Sequence, residues 1–276
     1  MIQVGQYNDL KVIKEMDFGI YLGEGSHEIL MPSKWVPKDT RIGDELSVFV
    51  FRDSEGRLIA TTVKPYAVAG EFAFLEVQQV NPTGAFLDWG MEKNLMVPFR
   101  EQPVPMEEGK SYVVFVYVDE ETDRIVASAK LNKFIEREDI DLVEGDIVDL
   151  LIYSETDKGL NAIINNTYQG LIYRNEIFDN IRIGDKVKGF VKQVREDNKI
   201  DLSLQKSGYE LVDDVKWKIL NILKEKGFLP LHDGSSPEEI KAALQISKKA
   251  FKKAVGALYK EQLVKLTPKG VELIRR

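Results

Sequence analysis

The stretch Arg182–Leu204, RIGDKVKGFVKQVREDNKIDLSL, decides the fold because the chain carries two earlier versions of it. These are Arg41–Thr62, RIGDELSVFVFRDSEGRLIATT, and Glu108–Ser128, EGKSYVVFVYVDEETDRIVAS. When Gly43, Gly109 and Gly184 are aligned, an isoleucine follows 16 positions later in every copy: Ile59, Ile125 and Ile200. A second glycine precedes each of the three aligned glycines, by 24, 25 and 25 positions: Gly19, Gly84 and Gly159. Two anchors that keep register through three copies predict a triplicated module of roughly 65 to 75 residues.

Each module reads as short strands separated by turn residues. In the first copy we predict five strands: Leu10–Met16, Phe18–Leu22, Glu28–Met31, Leu46–Arg52 and Arg57–Val63. Turn residues recur before the last strand of each copy, at Ser54-Glu55-Gly56, Glu121-Thr122-Asp123 and Glu196-Asp197-Asn198. Five short strands in so little chain, without a long helix, predict a closed barrel of the OB type. A sandwich usually needs more strands.

The pattern becomes helical in the last quarter of the chain. We predict three helices and a hairpin: Val215–Lys226, Ser236–Leu244, Lys248–Lys260, and the strands Leu263–Leu266 and Val271–Ile274. Ser236 and Glu239 form a capping box, with a proline at the first helical position. Ser247 caps the third helix, and Gly227 ends the first. Three helices followed by a hairpin are typical of a winged helix.

The expected fold is therefore mainly β, with three five-stranded OB barrels before a C-terminal α+β domain. The predicted domains are barrels at residues 1–66, 67–135 and 142–207 and a winged helix at 209–276. The joints Lys64–Gly70 and Leu131–Leu142 are not rich in Gly and Ser, so we expect neighbouring barrels to pack together. The second joint is predicted to hold one or two helical turns.

Composition indicates an ordinary globular protein, with 43% apolar and 30% charged residues. No apolar run approaches the eighteen or so residues that span a bilayer, so we expect no membrane partner. The N-terminal sequence does not read as a signal peptide, and with no cysteine there is no disulfide or thiolate metal site. We expect a cytoplasmic protein.

The net charge of −7 is unevenly distributed. Residues 1–142 contain 15 basic and 25 acidic residues, and residues 143–208 contain 9 and 11. Residues 209–276 contain 14 basic and 9 acidic residues. An acidic front and a basic tail predict that contact with a polyanion begins at the C-terminal end.

The modules resemble the RNA-binding domain first named in ribosomal protein S1. The runs that carry this resemblance are Asp17–Leu22, Ile29–Ser33 and Arg57–Thr61. That family places its contacts at two aromatics, a histidine, an aspartate and an arginine on one barrel face. The first copy matches with Phe18, Tyr21, Asp53 and Arg57, and has Met31 where histidine is usual. The second copy supplies Phe86 and Arg124, and the third supplies Lys158, Asn161, Tyr173, Arg195 and Lys199.

These residue types suit single-stranded RNA, whose bases stack on flat side chains while cations hold the phosphates. Strand alternation places Ile20 and Leu22 inside the barrel and Tyr21 outside. An outward Phe18 needs a kink at Gly19 and is implied by the resemblance alone. Two other readings stay open: Phe18 and Phe86 belong to a core, or the charged pairs Asp53/Arg57 and Arg195/Lys199 are solvated hairpin charges.

A second set of candidate residues is basic. The face of the third predicted helix opposite its apolar face carries Lys248, Lys249, Lys252, Lys253 and Lys260, and Lys265, Lys269, Arg275 and Arg276 extend the charge. The third barrel adds Lys186, Lys188, Lys192, Arg195 and Lys199. This helix enters a groove of nucleic acid in winged-helix proteins, so we predict that the two sets form one binding track. The alternative is a solvated face without a partner.

Catalysis has little support in the sequence. His27 and His232 are the only histidines, and no spacing of His, Asp and Glu resembles a metal site or a triad. Gly23-Glu24-Gly25 lacks the third glycine of a dinucleotide loop and is expected to be a turn. We therefore predict no enzymatic activity and no cofactor.

Three S1-type barrels before a winged helix resemble the bacterial conserved virulence factor B family, CvfB, also called YitL. The resemblance implies an RNA-binding protein that influences expression of virulence genes. Our hypothesis is a regulator that binds single-stranded RNA. The alternatives are a protein-interaction scaffold associated with the ribosome or RNA polymerase, and a winged-helix protein that binds DNA.

Overall fold

The computed structural model describes residues 2–24, 27–177, 180–205 and 209–274. The chain divides into two compact units, residues 1–135 and 136–276. Gly25, Arg275 and Arg276, named above for a turn and for the basic tail, lie outside the described residues.

The first module forms a closed five-stranded barrel, as predicted. Its strands are β1 (Tyr7–Met16), β2 (Gly19–Glu24), β3 (His27–Pro32), β4 (Glu45–Arg52) and β5 (Leu58–Thr61). They close in the order β1-β2-β3-β5-β4, and β1 pairs with β2 on one side and β4 on the other. The core is built from residues that alternate along the strands, such as Ile20, Leu22 and Met31. Phe18 precedes β2 instead of belonging to it.

The second module has the same strand order as the first, but its sheet lacks one of the hydrogen-bonded strand pairings that close the other barrels. Its strands are β6 (Phe72–Asn81), β7 (Gly84–Leu87), β8 (Leu95–Pro98), β9 (Ser111–Asp119) and β10 (Arg124–Ser128). In the order β10-β9-β6-β7-β8, β8 pairs with β7 and β10 pairs with β9, but β8 and β10 are not hydrogen-bonded to each other although they lie side by side. One side-chain bond ties the end of β10 to the turn that follows β8: Ser128 donates to the Glu101 carboxylate at 2.6 Å. Within that turn, Gln102 donates to the Val97 carbonyl at 2.8 Å.

The third module is again a closed barrel. Its strands are β11 (Ile147–Thr156), β12 (Gly159–Ile164), β13 (Tyr168–Tyr173), β14 (Lys186–Val194) and β15 (Ile200–Ser203). They close in the order β11-β12-β13-β15-β14, as in the first module. In the joint before it, where one or two helical turns were predicted, a single 3-10 turn forms at Leu131–Lys133.

The C-terminal region has the helices and hairpin predicted from its sequence. Its elements are α1 (Tyr209–Lys226), β16 (Phe228–Leu229), α2 (Pro237–Leu244), α3 (Lys248–Lys260), β17 (Val264–Thr267) and β18 (Gly270–Leu273). Both side chains of the Ser236–Glu239 capping box are engaged, and Ser247 accepts from the Ala250 amide. Phe251, Ala254, Val255 and Leu258 of α3 are buried. The two-residue strand β16, which pairs with β18, was not predicted because it is too short to show a period.

The upstream glycines that mark the three copies are required by close backbone packing. Gly19, Gly84 and Gly159 each open a strand with φ of 153°, 158° and 151°. A Cβ at these positions would lie 2.2, 2.4 and 1.9 Å from a carbonyl oxygen of the facing strand, at Met31, Val97 and Ile172. Any side chain must therefore push two paired strands apart, and the glycine repeats because the barrel repeats.

We expect Gly159→Ala to lower the free energy of unfolding of the third barrel by about 2 to 3 kcal/mol, since both the contact and the positive φ are unfavourable. Urea unfolding followed by circular dichroism measures the loss. Gly256→Ala in α3 is the matched control. Nothing lies within 4 Å of its new Cβ, and alanine favours a helix, so its stability should stay equal or rise. Equal stability for the two variants would contradict the steric explanation.

Candidate nucleic-acid interface

The first barrel presents two aromatic rings outside its core. Phe18 is 52% exposed, which excludes a core position, and Tyr21 is half-buried. The ring centroids lie 6.4 Å apart at an angle of 83°, and the Lys14 ammonium lies 5.3 Å from the Tyr21 centroid. The turn before Gly19 turns Phe18 outward, while Ile20 and Leu22 point into the barrel as predicted. This arrangement offers aromatic surface for stacking, mainly at Phe18, with a cation over the neighbouring Tyr21 ring.

An outward-facing row runs from these rings across the barrel. Residues paired directly across neighbouring strands point to the same face. The pairs are Lys14 with Tyr21, Tyr21 with Leu30, Leu30 with Ile59, and Ile59 with Phe51. The row is apolar beyond Lys14 and crosses all five strands. It connects the Phe18–Tyr21 pair to the side of the barrel that faces the second module.

Met31, which stands where the S1 family usually has histidine, is fully buried in the barrel core. Its counterparts in the other copies, Val97 and Ile172, are buried as well. In the third copy, Tyr173 pairs with Gly159 just as Pro32 pairs with Gly19. Tyr173 is therefore the structural counterpart of Pro32 and not of Met31.

Asp53 and Arg57 lie together at the hairpin between β4 and β5. The Asp53 carboxylate accepts hydrogen bonds from the Glu55 and Arg57 amides at 2.9 and 3.0 Å and from Arg57 Nε at 2.9 Å. Burial alone would raise the pKa of Asp53, but these hydrogen bonds outweigh it and hold the pKa below its usual value. Asp53 thus shapes the turn. Arg57 remains exposed beside it and also contacts Glu55.

The first and second barrels are packed tightly within their unit. Phe49 of β4 belongs to the buried cluster that forms the core of the second barrel, and its ring centroid lies 5.9 Å from that of Trp89. Arg52 forms an ion pair with Asp123, and Lys34 forms one with Glu92 at 2.6 Å. The first two barrels therefore pack together, as the composition of the joint predicts.

A cleft of about 500 Å³ lies between these two barrels. Four of the predicted site residues line it: Asp53 and Arg57 from the first barrel and Phe86 and Arg124 from the second. Phe86 points away from its own core, because it pairs with Gln79 and Met96 on the outer face. Aromatic residues that sequence reasoning missed complete the walls: Trp35, Phe51 and Trp89. The pattern could have revealed Phe51, which alternates with buried residues on β4, whereas the two tryptophans lie in connections between strands.

The basic residues of the third barrel are mostly held by carboxylates. Lys188 pairs with Asp149 at 2.7 Å, Lys192 with Glu176 at 2.6 Å, and Lys199 with Asp197. Arg195 donates to the buried Asp201 at 2.9 Å and to the Tyr173 hydroxyl, and Asn161 donates to Ser154. Lys158 is exposed and forms no ion pair in the described part of the chain. The pairs reduce the positive charge that this barrel presents, and contact of these residues with nucleic acid stays a prediction.

The lysines of α3 are more open. Lys252 pairs with Asp233 at 2.7 Å, and Lys248 lies close enough to lower the pKa of that same carboxyl. Lys249 and Lys253 are exposed and have no carboxylate partner among the described residues. Lys269 lies in the turn of the hairpin, where its amide donates to Thr267. The outer face of α3 therefore presents open positive charge at Lys249 and Lys253.

Two further findings concern the described residues only. They contain no group of three or more His, Cys, Asp and Glu side chains that could hold a metal ion. None of their helices is both long enough and apolar enough to span a bilayer.

Comparison with known families identifies two of the domain types. An S1 domain model matches residues 4–63 and 69–130, and a CvfB-like winged helix domain model matches residues 217–273. These matches cover the first two barrels and most of the C-terminal domain.

Similar proteins match over most of the chain. YitL of Bacillus subtilis (strain 168) is 28% identical over 267 residues, which cover 93% of this chain and 89% of YitL. Conserved virulence factor B of Staphylococcus aureus is 24% identical over 246 residues, or 86% of this chain and 82% of that protein. A solved multidomain protein with nucleic acid binding domains from Streptococcus pneumoniae is 25% identical and covers 98% of both chains, with a TM-score of 0.42. The chain therefore contains S1 domains and a CvfB-like winged helix domain, and YitL and conserved virulence factor B are its homologues over most of its length.

Proposed function

We propose that this protein binds single-stranded RNA in the bacterial cytoplasm and regulates gene expression through that binding. The observation that carries the proposal is the outward-facing Phe18–Tyr21 pair beside Lys14 on an S1 barrel, in which Phe18 is exposed and Tyr21 is half-buried. Outward-facing rings next to a cation offer stacking to any base and attraction to its phosphate, which is how single strands are held without a fixed sequence. The name of conserved virulence factor B is the basis for the regulatory part.

The outer face of α3 supports the same proposal. Lys249 and Lys253 lie one turn apart, so both ammonium groups point to the same side of the helix. They sit in the region of the chain with an excess of basic residues. A backbone of phosphates can contact both at once, and the contact requires no base sequence. Phosphate contact at α3 then adds affinity for the same class of ligand that stacks on the first barrel.

The acidic balance of residues 1–142 does not forbid base stacking there. Charges farther away than about 8 to 10 Å are largely screened at physiological salt, so the local cation matters most. Lys14 lies beside Tyr21, and Arg57 lies at the neighbouring hairpin. Stacking also depends on ring area and not on charge.

Filter binding of single-stranded RNA and of duplex DNA across a salt series tests the proposal. We expect preference for the single strand and an affinity that falls steeply with salt, with a slope of about −0.7 for each phosphate contact. Preference for duplex DNA would favour a winged-helix DNA-binding protein. Weak binding of both nucleic acids without salt dependence would favour a protein-interaction scaffold.

Phe18→Ala is expected to weaken single-stranded RNA binding by about 5- to 10-fold, the lower part of the range for one stacked base, because the ring is only half exposed. The salt slope should not change, since no charge is lost. Phe99→Ala is the control, because Phe99 is similarly exposed in the same unit but lies outside the Phe18–Tyr21 face. If both variants lose the same affinity for RNA, Phe18 has no specific role in stacking and no longer supports the proposed function.

A further inference from the structure

The cleft between the first two barrels has the opposite charge balance to the unit around it. Five cationic and two anionic side chains line it: Lys34, Arg52, Arg57, Lys93 and Arg124, with Asp53 and Glu92. The first 142 residues as a whole are strongly acidic. A local excess of cations in an acidic region favours an anionic ligand at that place.

Two of these cations are available to a ligand. Arg124 is exposed, donates one long hydrogen bond of 3.4 Å to the Ser54 carbonyl, and has no carboxylate partner among the described residues. Lys93 is exposed and likewise forms no ion pair there. Arg52, Arg57 and Lys34 already hold carboxylates and fix the walls of the cleft. The two open cations can therefore contact a ligand, while the three paired cations hold the walls in place.

The walls of the cleft suit a flat ring. Phe51 and Trp35 meet edge to face at 6.1 Å, and Phe86 faces the cleft from the second barrel. The Trp89 indole is fixed by a 2.6 Å hydrogen bond from Nε1 to the Lys93 carbonyl. A volume of about 500 Å³ lies within the usual range for sites that bind small organic molecules. Aromatic walls with cations at the rim match a nucleobase with its phosphate.

The seam between β8 and β10 of the second barrel also faces this cleft. Leu95 and Met96 of β8 and Ile125 of β10 are among its lining residues. From the first barrel, Leu30 and Ile59 line it. These two residues belong to the outward row that begins at Tyr21. With strands about 4.8 Å apart, Tyr21 lies about 10 Å from Ile59, so one extended strand can reach both places.

We propose that this cleft is a nucleotide pocket that takes one base of a single-stranded RNA whose neighbouring bases stack on Phe18 and Tyr21. The inference rests on the proposed RNA binding and adds a specific pocket to it. Arg124 and Lys93 hold the phosphates on either side of the inserted base. The base lies against Phe86 and the ring system of Trp35 and Phe51.

Tryptophan fluorescence tests the pocket in the full-length chain. The three tryptophans are Trp35, Trp89 and Trp217, so Trp217→Phe leaves only the two that line the cleft. In this background, an oligoadenylate of about twelve nucleotides is titrated, and adenosine monophosphate is titrated separately. The variants are Arg124→Ala and Phe86→Ala, with Arg100→Ala as the control, because Arg100 is an exposed arginine of the same barrel outside the cleft.

We expect the oligonucleotide to quench the emission, and Arg124→Ala or Phe86→Ala to weaken its binding by about 5- to 10-fold while Arg100→Ala has no such effect. Arg124→Ala removes only an exposed side chain and keeps the test valid if Phe86→Ala does not fold. One result would overturn the pocket but leave RNA binding supported. In it, the oligonucleotide binds in the filter assay, the tryptophan emission is not quenched, and both variants bind as tightly as the unchanged protein. If only adenosine monophosphate quenches the emission, the pocket binds a free nucleotide, and the proposal that it takes a base of an RNA strand is wrong. Absence of any RNA binding removes the proposed function and the pocket together.

Discussion

Reversal of charge at Lys249 and Lys253 is expected to weaken binding of single-stranded RNA by about 100-fold at 0.1 M salt. Each phosphate contact to a single strand contributes a slope of about −0.7 in log affinity against log salt, which corresponds to about fivefold at 0.1 M relative to 1 M. Two lost contacts give about 25-fold, and the two new carboxylates repel the same phosphates. The salt slope should become shallower by about 1.4, which filter binding measures directly.

The control for this double variant is Lys224→Glu with Lys226→Glu at the end of α1. It makes the same change in net charge within the same domain but leaves the outer face of α3 intact. A small loss in the control and a large loss in the α3 variant locate the contact on α3. Equal losses would mean that only the net charge of the domain matters, which contradicts a role for these two lysines.

Phe49→Ala is expected to lower the free energy of unfolding by about 3 to 5 kcal/mol, the usual cost of removing a buried aromatic ring. The side chain is fully buried and lies among core residues of the second barrel, although β4 belongs to the first. Its ring also meets Tyr7 at 5.8 Å and Phe51 at 6.3 Å. Both barrels of this unit should therefore lose stability in one common transition.

Urea unfolding in the Trp217→Phe background measures this effect, because the remaining tryptophans, Trp35 and Trp89, report on one barrel each. Phe74→Ala on β6 of the second barrel is the control, because this side chain is 38% exposed and its removal should cost far less stability. If the emission shows two separate unfolding transitions, and Phe49→Ala lowers the urea midpoint of only the first of them, the shared core does not couple the barrels.

The barrel architecture could be predicted because its constraints are local and repeated. The glycines that open β2, β7 and β12 are fixed by collision with the facing strand, so they keep their spacing in every copy. The helix starts at Ser236 and Ser247 could be predicted for a similar reason, since a cap depends on residues three positions apart.

The site was less predictable because its contacts join distant parts of the sequence. Lys188 and Asp149 are far apart in the chain but face each other on β14 and β11, so the sequence shows two charges where the structure has a pair. The cleft has the same origin, since Phe51 and Phe86 come from different barrels. The bond from Ser128 to Glu101 near the seam of the second barrel joins residues 27 positions apart, which no strand pattern reveals.

The carboxylates that hold Lys188, Lys192, Arg195 and Lys199 have a kinetic consequence. An ion pair acts at a distance as a dipole, whose field decays faster than that of a single charge, so the third barrel guides an approaching polyanion poorly. Encounter should therefore begin at α3, with association slowed by salt mainly through that helix. A phosphate that later reaches the barrel must displace a carboxylate, and such an exchange favours rapid release over long residence.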